Sequence, residues 1–432
     1  MIDIQLIRDN KERVALKAKE KGYEVDVESI LRFDKERKEI LAEVEELRRQ
    51  RNKLASESKG QKPTDEVLGR GKQIKDKLQE KEHKLTDTEL NLEKYLRQVP
   101  NMPTDDVPVG SSEAENQVAK EVGQKPVFKF KPKNHAQIAE SRGWLDTARA
   151  AKVAASRFVY LKGDLVNLQF AIVLFVLDTL GDQEVIKKIL ADNNLDLNPK
   201  TFVPVIPPAL INTDVYEASA RLNAEEMTYK IEHDDLWLNA SAEHSLCTMY
   251  ANEIIPESEL PIRYVGYSTS FRREAGSYGK DMEGMFRTHQ FDKLEMEVFS
   301  TPETSFNEHL FLIAIEEYLM AQLELPYQVL LKCTADIGFP NARGVDINTW
   351  FPGQDKYRET HSADYITDFQ TRRLKTRLKR ADGGIELVHT NDATAFALSR
   401  ILIAILENNQ TEDGHVNIPK VLQKYMGNGT VI

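Results

Sequence analysis

The sequence predicts an α+β protein in two parts: an antiparallel coiled-coil hairpin of α-helices over residues 1–103, then a domain over residues 104–432 built on an antiparallel β-sheet flanked by helices. Three observations lead there. Apolar residues step by three and four through residues 33–95, prolines punctuate residues 100–108, and beyond them runs of neighbouring strands occur with separate helices instead of a regular βαβ rhythm.

Residues 1–20 read as a short helix with Ile4, Leu6, Ile7, Val14 and Leu16 as its apolar side. From Phe33 the series Arg37, Ile40, Val44, Leu47, Arg51, Leu54 alternates steps of four and three. Ser58 to Pro63 interrupts it, and Val67, Gly71, Ile74, Leu78, Lys81, Leu85, Thr88, Leu92, Tyr95 resumes it. Such steps place one apolar stripe on each helix, and the short polar connection makes the helices antiparallel. Arg37, Arg51, Gly71 and Lys81 occupy stripe positions, so the seam is expected to weaken toward the tip. Pro100 and Pro103 end the second helix and mark the boundary. Beyond it, strands are expected at 262–273, 284–299, 326–334 and 343–352, with a helix over 303–323, and Thr201–Pro208 reads as an edge strand beside a turn.

The net charge of −11 is unevenly spread. Residues 1–100 hold 24 basic and 22 acidic side chains, and within 48–84 the count is 12 against 6. A basic segment on an acidic body can bind phosphates through counterion release while the remaining surface repels them. A coiled-coil hairpin can equally be a spacer. The excess at Arg48, Arg49, Arg51, Lys53, Lys59, Lys62, Arg70, Lys72, Lys75 and Lys77 favours an arm that grips a polyanion. The N-terminus lacks the basic start and apolar run of a signal peptide, and Phe170–Leu177 is too short to span a bilayer, so a cytoplasmic protein without a membrane partner is expected. The two cysteines, Cys247 and Cys333, lie far apart and support neither a disulfide framework nor a zinc site.

The densest chemical signal is Phe271-Arg272-Arg273-Glu274-Ala275-Gly276, followed by Arg287-Thr288-His289-Gln290-Phe291-Asp292-Lys293-Leu294-Glu295. On a strand, positions 272 and 274 share a face, so Arg272 and Glu274 are expected to grip an anion and an adenine-like edge together. A lone Arg-x-Glu is more often a surface ion pair. A phosphate-binding P-loop is a poorer explanation, because Gly276-Ser277-Tyr278-Gly279-Lys280-Asp281 has the wrong glycine spacing. The whole stretch resembles motif 2 of class II aminoacyl-tRNA synthetases, and its wording resembles the seryl-tRNA synthetases in particular. Thr201–Pro208 resembles the motif 1 strand of that class, and the basic hairpin resembles the arm with which the family reaches the long variable arm of tRNA(Ser).

The resemblance implies a class II synthetase domain that activates serine with ATP and Mg²⁺ and works as a homodimer. It implies that Arg272 and Arg400 are catalytic, Arg272 holding the α-phosphate and the amino-acid carboxylate. ATP would further meet Arg273, Glu274, Arg287, Glu359, Thr360, His361 and Ser362, with Glu359 carrying Mg²⁺ and Ser362 beside it. Serine would meet Ser241, Ala242, Glu243, Arg272, Glu295 and Thr394, and tRNA would meet Arg48, Arg49, Arg51, Lys53, Lys72 and Lys75. The sequence departs from the family's commonest pattern in several places. Ser241 stands where threonine is usual, and Ala335 replaces a glycine. His361-Ser362-Ala363-Asp364 replaces a serine- and cysteine-rich run, and Asn391-Asp392-Ala393-Thr394-Ala395 replaces a Leu-Asn-Gly-Ser-Gly-like turn. Two alternatives stay open at this point: a related ligase that loads a small amino acid onto another acceptor, and a non-catalytic RNA-binding paralogue. The basic arm disfavours the first and the complete set of site charges disfavours the second.

Overall fold

The computed structural model describes residues 1–57, 64–222, 227–274 and 284–432, which form two compact units, Met1–Met102 and Pro103–Ile432. The turn expected at 58–63 and the glycine-containing loop 276–281 lie outside the described residues.

In the first unit the single helix expected over residues 1–20 is two, α1 (Ile4–Asp9) and α2 (Lys11–Glu20). Asn10 breaks them with a non-helical backbone, and Asp3 caps α1 by accepting from the Gln5 amide. Arg8 grips the buried Asp34 with two bonds of 2.7 Å, which fastens α1 to the base of α3 (Val27–Glu57). α4 (Asp65–Leu96) runs back along α3, and Ile40, Val44 and Leu78 are buried in the seam between them. Toward the tip Leu47, Leu54 and Ile74 are only half buried, as the charged stripe positions led one to expect. Cross-helix pairs Arg48–Glu82, Lys81–Glu43 and Lys84–Glu36 flank the seam.

The second unit is organised by an eight-stranded sheet. Its strands are β1 (Gln117–Val122), β2 (Val203–Val205), β3 (Ile262–Phe271), β4 (Gln290–Ser300), β5 (Tyr327–Leu331), β6 (Arg343–Phe351), β7 (Lys356–Thr367) and β8 (His389–Ala397). They lie in the order β1-β5-β6-β7-β8-β4-β3-β2. Every pair is antiparallel except β2 with β3. The segment read as an edge strand is therefore one, since β2 ends the sheet. Helices α5 (Asp164–Gly181), α6 (Ser305–Gln322) and α7 (Leu398–Asn408) pack with the sheet around one large apolar core.

The Phe170–Leu177 run lies, as a buried helix should, inside α5, an 18-residue helix that by length and composition alone could cross a membrane but of which 56% is buried inside this unit. The strand bounds need correction. The strand expected over 262–273 ends at Phe271, and the one expected from 284 starts at Gln290. The central strands β7 and β8 had no counterpart in the sequence reading. Asn391–Ala395, where the family has a turn-like sequence, is the middle of β8.

Candidate active site

A cavity of about 200 Å³ opens over β3, β4, β7 and β8. Side-chain parity along the strands explains which residues reach it. On β4, Phe291, Lys293 and Glu295 alternate onto the cavity face. On β7, Ser362 and Asp364 do the same, and Glu359 belongs by simple alternation to the opposite face. It nevertheless lines the cavity, because Thr360 is an extra residue between the pairs Asn348–Glu359 and Ile347–His361. Such a bulge shifts the alternation by one. Ala395 does the same on β8: Asp392 and Thr394 face the cavity before it, and Ala397 after it.

Arg272 lies one residue past β3 but still extends the ladder, its amide donating to the His289 carbonyl at 3.0 Å. Its Nε donates to the Ala240 carbonyl at 3.1 Å, and its guanidinium lies 5.2 Å from the centre of the Phe291 ring. Among the described residues these two partners hold the head group over the cavity and leave further guanidinium donors for a ligand. Arg272 and Glu274 do not share a strand face as expected, since the strand has ended and Glu274 adopts a left-handed φ of 49°. Both side chains still line the cavity, and Glu274 lies 3.4 Å from Arg287. Arg273 does not line it; its guanidinium lies 4.8 Å from the Tyr229 ring centre. The buried Nε of Arg287 has no hydrogen-bond partner among the described residues.

Arg400, in the first turn of α7, donates to the Glu359 carbonyl at 2.9 Å and pairs with its carboxylate at 3.1 Å. It also lies 5.0 Å from the ring centre of Phe286, which Arg358 approaches at 4.0 Å. Crowding by protein pushes the Glu359 carboxyl upward, but Arg400, Lys332 and Arg272 outweigh it and hold the group down at about 2. About half of that side chain remains open to solvent. Ser362 lines the same cavity and Thr360 lies between them. His361 points elsewhere. It is buried, bonded to the Thr360 hydroxyl at 2.8 Å, 5.1 Å from the Phe396 ring, and burial lowers its pKa to about 3, so the side chain is neutral, and it does not line the cavity.

At the other end, Lys293 is buried between two carboxylates. It pairs with Glu295, lies 3.7 Å from Glu243, and donates to Ser241 Oγ at 3.1 Å. Ser241 in turn bonds Glu243 and reaches Glu295 at 3.4 Å, and Thr394 donates to Glu295 across the strand pair at 3.4 Å. Burial drives the Glu295 carboxyl up to about 8; Lys293 pulls it back, while Glu243 and Asp392 add to the rise. For Glu243 burial is outweighed by Lys293 and His244, which hold it well below its usual range. Ser241 and Ala242 are fully buried behind the lining and do not form it. Lys293 was absent from the sequence expectations. Its spacing of two from Glu295 on one strand was a signal that could have found it.

Among the described residues no group of three or more His, Cys, Asp or Glu side chains could hold a metal by itself. Glu359 with Ser362 does fit magnesium, a hard cation that takes few protein oxygens and keeps others from water or phosphate. Cys247 and Cys333 are both buried and not joined in a disulfide. On the first unit, Arg48, Arg49, Arg51, Lys53, Lys72 and Lys75 are all exposed.

An antiparallel sheet of this kind, with Arg272, Arg287 and Arg400 lining one cavity together with Glu243, Glu295 and Glu359, is the arrangement of a class II aminoacyl-tRNA synthetase. Residues 227–409 match the tRNA synthetase class II core domain (G, H, P, S and T), and residues 1–103 match the seryl-tRNA synthetase N-terminal domain. The serine–tRNA ligase of Pyrococcus horikoshii is 40% identical over 99% of this chain and 96% of its own length, and that of Nitrosopumilus maritimus 36% over 99% of each. The crystal structure of the P. horikoshii seryl-tRNA synthetase complexed with ATP superposes with a TM-score of 0.87 at 39% identity, covering 100% of this chain and 99% of that one. The cytoplasmic serine–tRNA ligase of Naegleria fowleri in complex with AMP gives 0.85 at 28%, covering 100% and 98%. The chain belongs to the seryl-tRNA synthetase family, and with it to the ligases that form aminoacyl-tRNA.

Proposed function

We propose that this chain, a serine–tRNA ligase, converts serine and ATP to seryl-adenylate in the cavity over β3, β4, β7 and β8, then passes the seryl group to the 3′ end of tRNA(Ser). The observation that carries the residue roles is the mixed charge of that cavity's lining, which brings Arg272, Arg287 and Arg400 together with Glu243, Glu295 and Thr394. The first set suits phosphates. The second suits an ammonium and a hydroxyl.

The serine carboxylate attacks the α-phosphorus, the bond to the β-phosphate oxygen breaks, and pyrophosphate leaves. No protein nucleophile takes part, so the residues act by positioning and by stabilising charge on phosphate oxygens. Arg272 holds the α-phosphate together with the amino-acid carboxylate, Glu274 meets the adenine, and Arg287 and Arg400 meet the other phosphates. Magnesium, held by Glu359 beside Ser362, neutralises phosphate charge when bound. Glu295 and Thr394 take the polar groups of serine. A small site that hydrogen-bonds a hydroxyl rejects the analogue lacking it by about four to five orders of magnitude, since its polar groups are otherwise left unpaired.

In this assignment residues 1–103 are the tRNA-binding domain and residues 104–432 the aminoacylation domain, and the enzyme works in the cytoplasm. A homodimer through Thr201–Pro208 is supported by the edge position of β2 and by the exposure of Val203 and Ile206. Serine-dependent pyrophosphate exchange together with charging of tRNA(Ser) tests the function. Exchange without charging points to another acceptor, and binding of tRNA without exchange to a non-catalytic paralogue.

A further inference from the structure

Two aspartates face each other at the amino-acid end of the cavity. Asp364 on β7 and Asp392 on β8 are direct cross-strand partners, both line the cavity, and they are 8% and 3% exposed. Like charges directly opposite on a sheet repel, and burial strengthens the repulsion.

One side chain touches both. Arg221, in the segment after the helix Thr213–Ala218, pairs with Asp392 and lies 3.9 Å from Asp364, its own side chain 13% exposed. Its amide donates to Ser219 Oγ at 3.1 Å, which fixes the backbone from which the guanidinium extends. It does not line the cavity. Among the described residues Asp364 Oδ1 has no hydrogen-bond partner, and Glu297, the next partner of Asp392 across the sheet, is buried with neither carboxylate oxygen bonded. Remove Arg221, and the cavity wall beside Ser362 and Thr394 becomes a row of carboxylates without their shared cation.

We infer that Arg221 is a positioning residue that sets amino-acid selectivity: by holding and neutralising the Asp364–Asp392 pair it gives the substrate's neutral hydroxyl, and not a cationic side chain, the matching wall. The inference rests on the amino-acid site proposed above. The clamp acts through its two aspartates, so its effect falls on the amino acid and spares ATP, whose arginines lie at other positions.

The test compares pyrophosphate exchange with serine and with 2,3-diaminopropionate, the serine analogue carrying an ammonium in place of the hydroxyl. Wild type, Arg221→Met, Arg221→Lys and the triple variant Arg221→Met/Asp364→Asn/Asp392→Asn are assayed, with thermal unfolding of each. Wild type should prefer serine. Arg221→Met should raise the KM for serine by about a hundredfold, leave that for ATP within about threefold, and shift the serine-to-diaminopropionate ratio at least about tenfold toward the diamine. Arg221→Lys should restore part of the preference, and the triple variant, which removes the charges the arginine offsets, should restore serine use. Wild type that prefers the diamine overturns the inference. So does an Arg221→Met enzyme with unchanged selectivity, or one whose serine and ATP constants rise together without recovery in the triple variant. Wild-type exchange with serine tests the substrate assignment by itself. The ratios among the variants test the clamp.

Discussion

Arg400 donates to the carbonyl of Glu359 at 2.9 Å and pairs with its carboxylate at 3.1 Å, so the first turn of α7 is tied to the bulged segment of β7. The same carboxylate, held near pKa 2, is the group assigned to magnesium. Glu359→Gln removes the charge and keeps the shape. It should raise the magnesium concentration needed for half-maximal pyrophosphate exchange several-fold and raise the KM for ATP, with a smaller effect on serine. An unchanged magnesium dependence would falsify the metal assignment.

Arg272→Ala should reduce adenylate formation by about 10²–10³-fold in kcat, the usual loss when a donor to developing negative charge is removed. The fold should survive, because the strand ends one residue earlier and the side chain's hydrogen bond to the protein is a single one, to the Ala240 carbonyl, among the described residues. Arg273→Ala is the control. Its side chain lies against Tyr229 outside the cavity, and exchange should stay within a few-fold of wild type. Equal losses in the two variants would remove the distinction.

Glu295→Gln and Thr394→Ala should damage serine recognition before ATP binding. Glu295 is the node that Lys293, Ser241 and Thr394 all touch, so its substitution disturbs three partners, whereas Thr394→Ala removes one hydroxyl. A single lost hydrogen bond is worth about 1 kcal/mol, and a buried group left unpaired about 1–3. The KM for serine should rise more in Glu295→Gln than in Thr394→Ala, and discrimination against alanine should narrow in both. Unchanged discrimination in both variants would place the pocket elsewhere.

Buried carboxylates make the stability of the second unit fall as pH rises. Burial puts Asp392 at about 7 and Glu295 at about 8. A carboxyl raised in the folded state contributes stability that is complete below the ordinary carboxylate range and is lost as pH rises through its folded value. Glu359 runs the other way, its contribution present above the ordinary range and lost only as pH falls through about 2. Buried His309 and His361, both lowered to about 3, also run the other way, their contribution growing as pH rises toward the ordinary histidine value and complete above it, so the raised carboxyls decide the sign between about pH 6.5 and 8.5. The melting temperature of the second unit's transition should decline across that window, and Asp392→Asn should flatten the decline. A rise over the same window would contradict these protonation states.

The helical seam was legible because its steps of three and four persist over many turns despite the charged positions, and Ile40, Val44 and Leu78 are buried in it. β3 and β4 were legible for a related reason: residues such as Val265, Met296 and Val298 keep an apolar pattern. β7 and β8 were not. Their cavity faces carry Glu359, Ser362, Asp364, Asp392 and Thr394, which mask the alternation of a strand, and bulges at Thr360 and Ala395 break what remains of it. Arg221 carried no local signal, since its partners Asp364 and Asp392 are distant in sequence and only the sheet register brings them together.

The arm offers a separation of functions. Arg48 already pairs with Glu82 and Arg49 with Glu46, but these are exposed pairs, worth about 0–1 kcal/mol each, and an incoming phosphate competes with them readily. Lys72 and Lys75 are exposed along α4. Replacing Arg48, Arg49, Lys72 and Lys75 with glutamine takes away as many as four cations that can neutralise phosphates, and the slope of log affinity against log salt should shrink by about 0.7–0.9 for each phosphate no longer neutralised. None of the four belongs to the cavity or to the buried seam, so serine activation and the folding of the hairpin should be preserved. Affinity for tRNA(Ser) and the rate of charging should drop together, most clearly at moderate salt where the remaining phosphate interactions are already weakened. If the quadruple variant charges tRNA(Ser) normally near physiological salt, the hairpin is a spacer, and the grip on phosphates must come from the second unit.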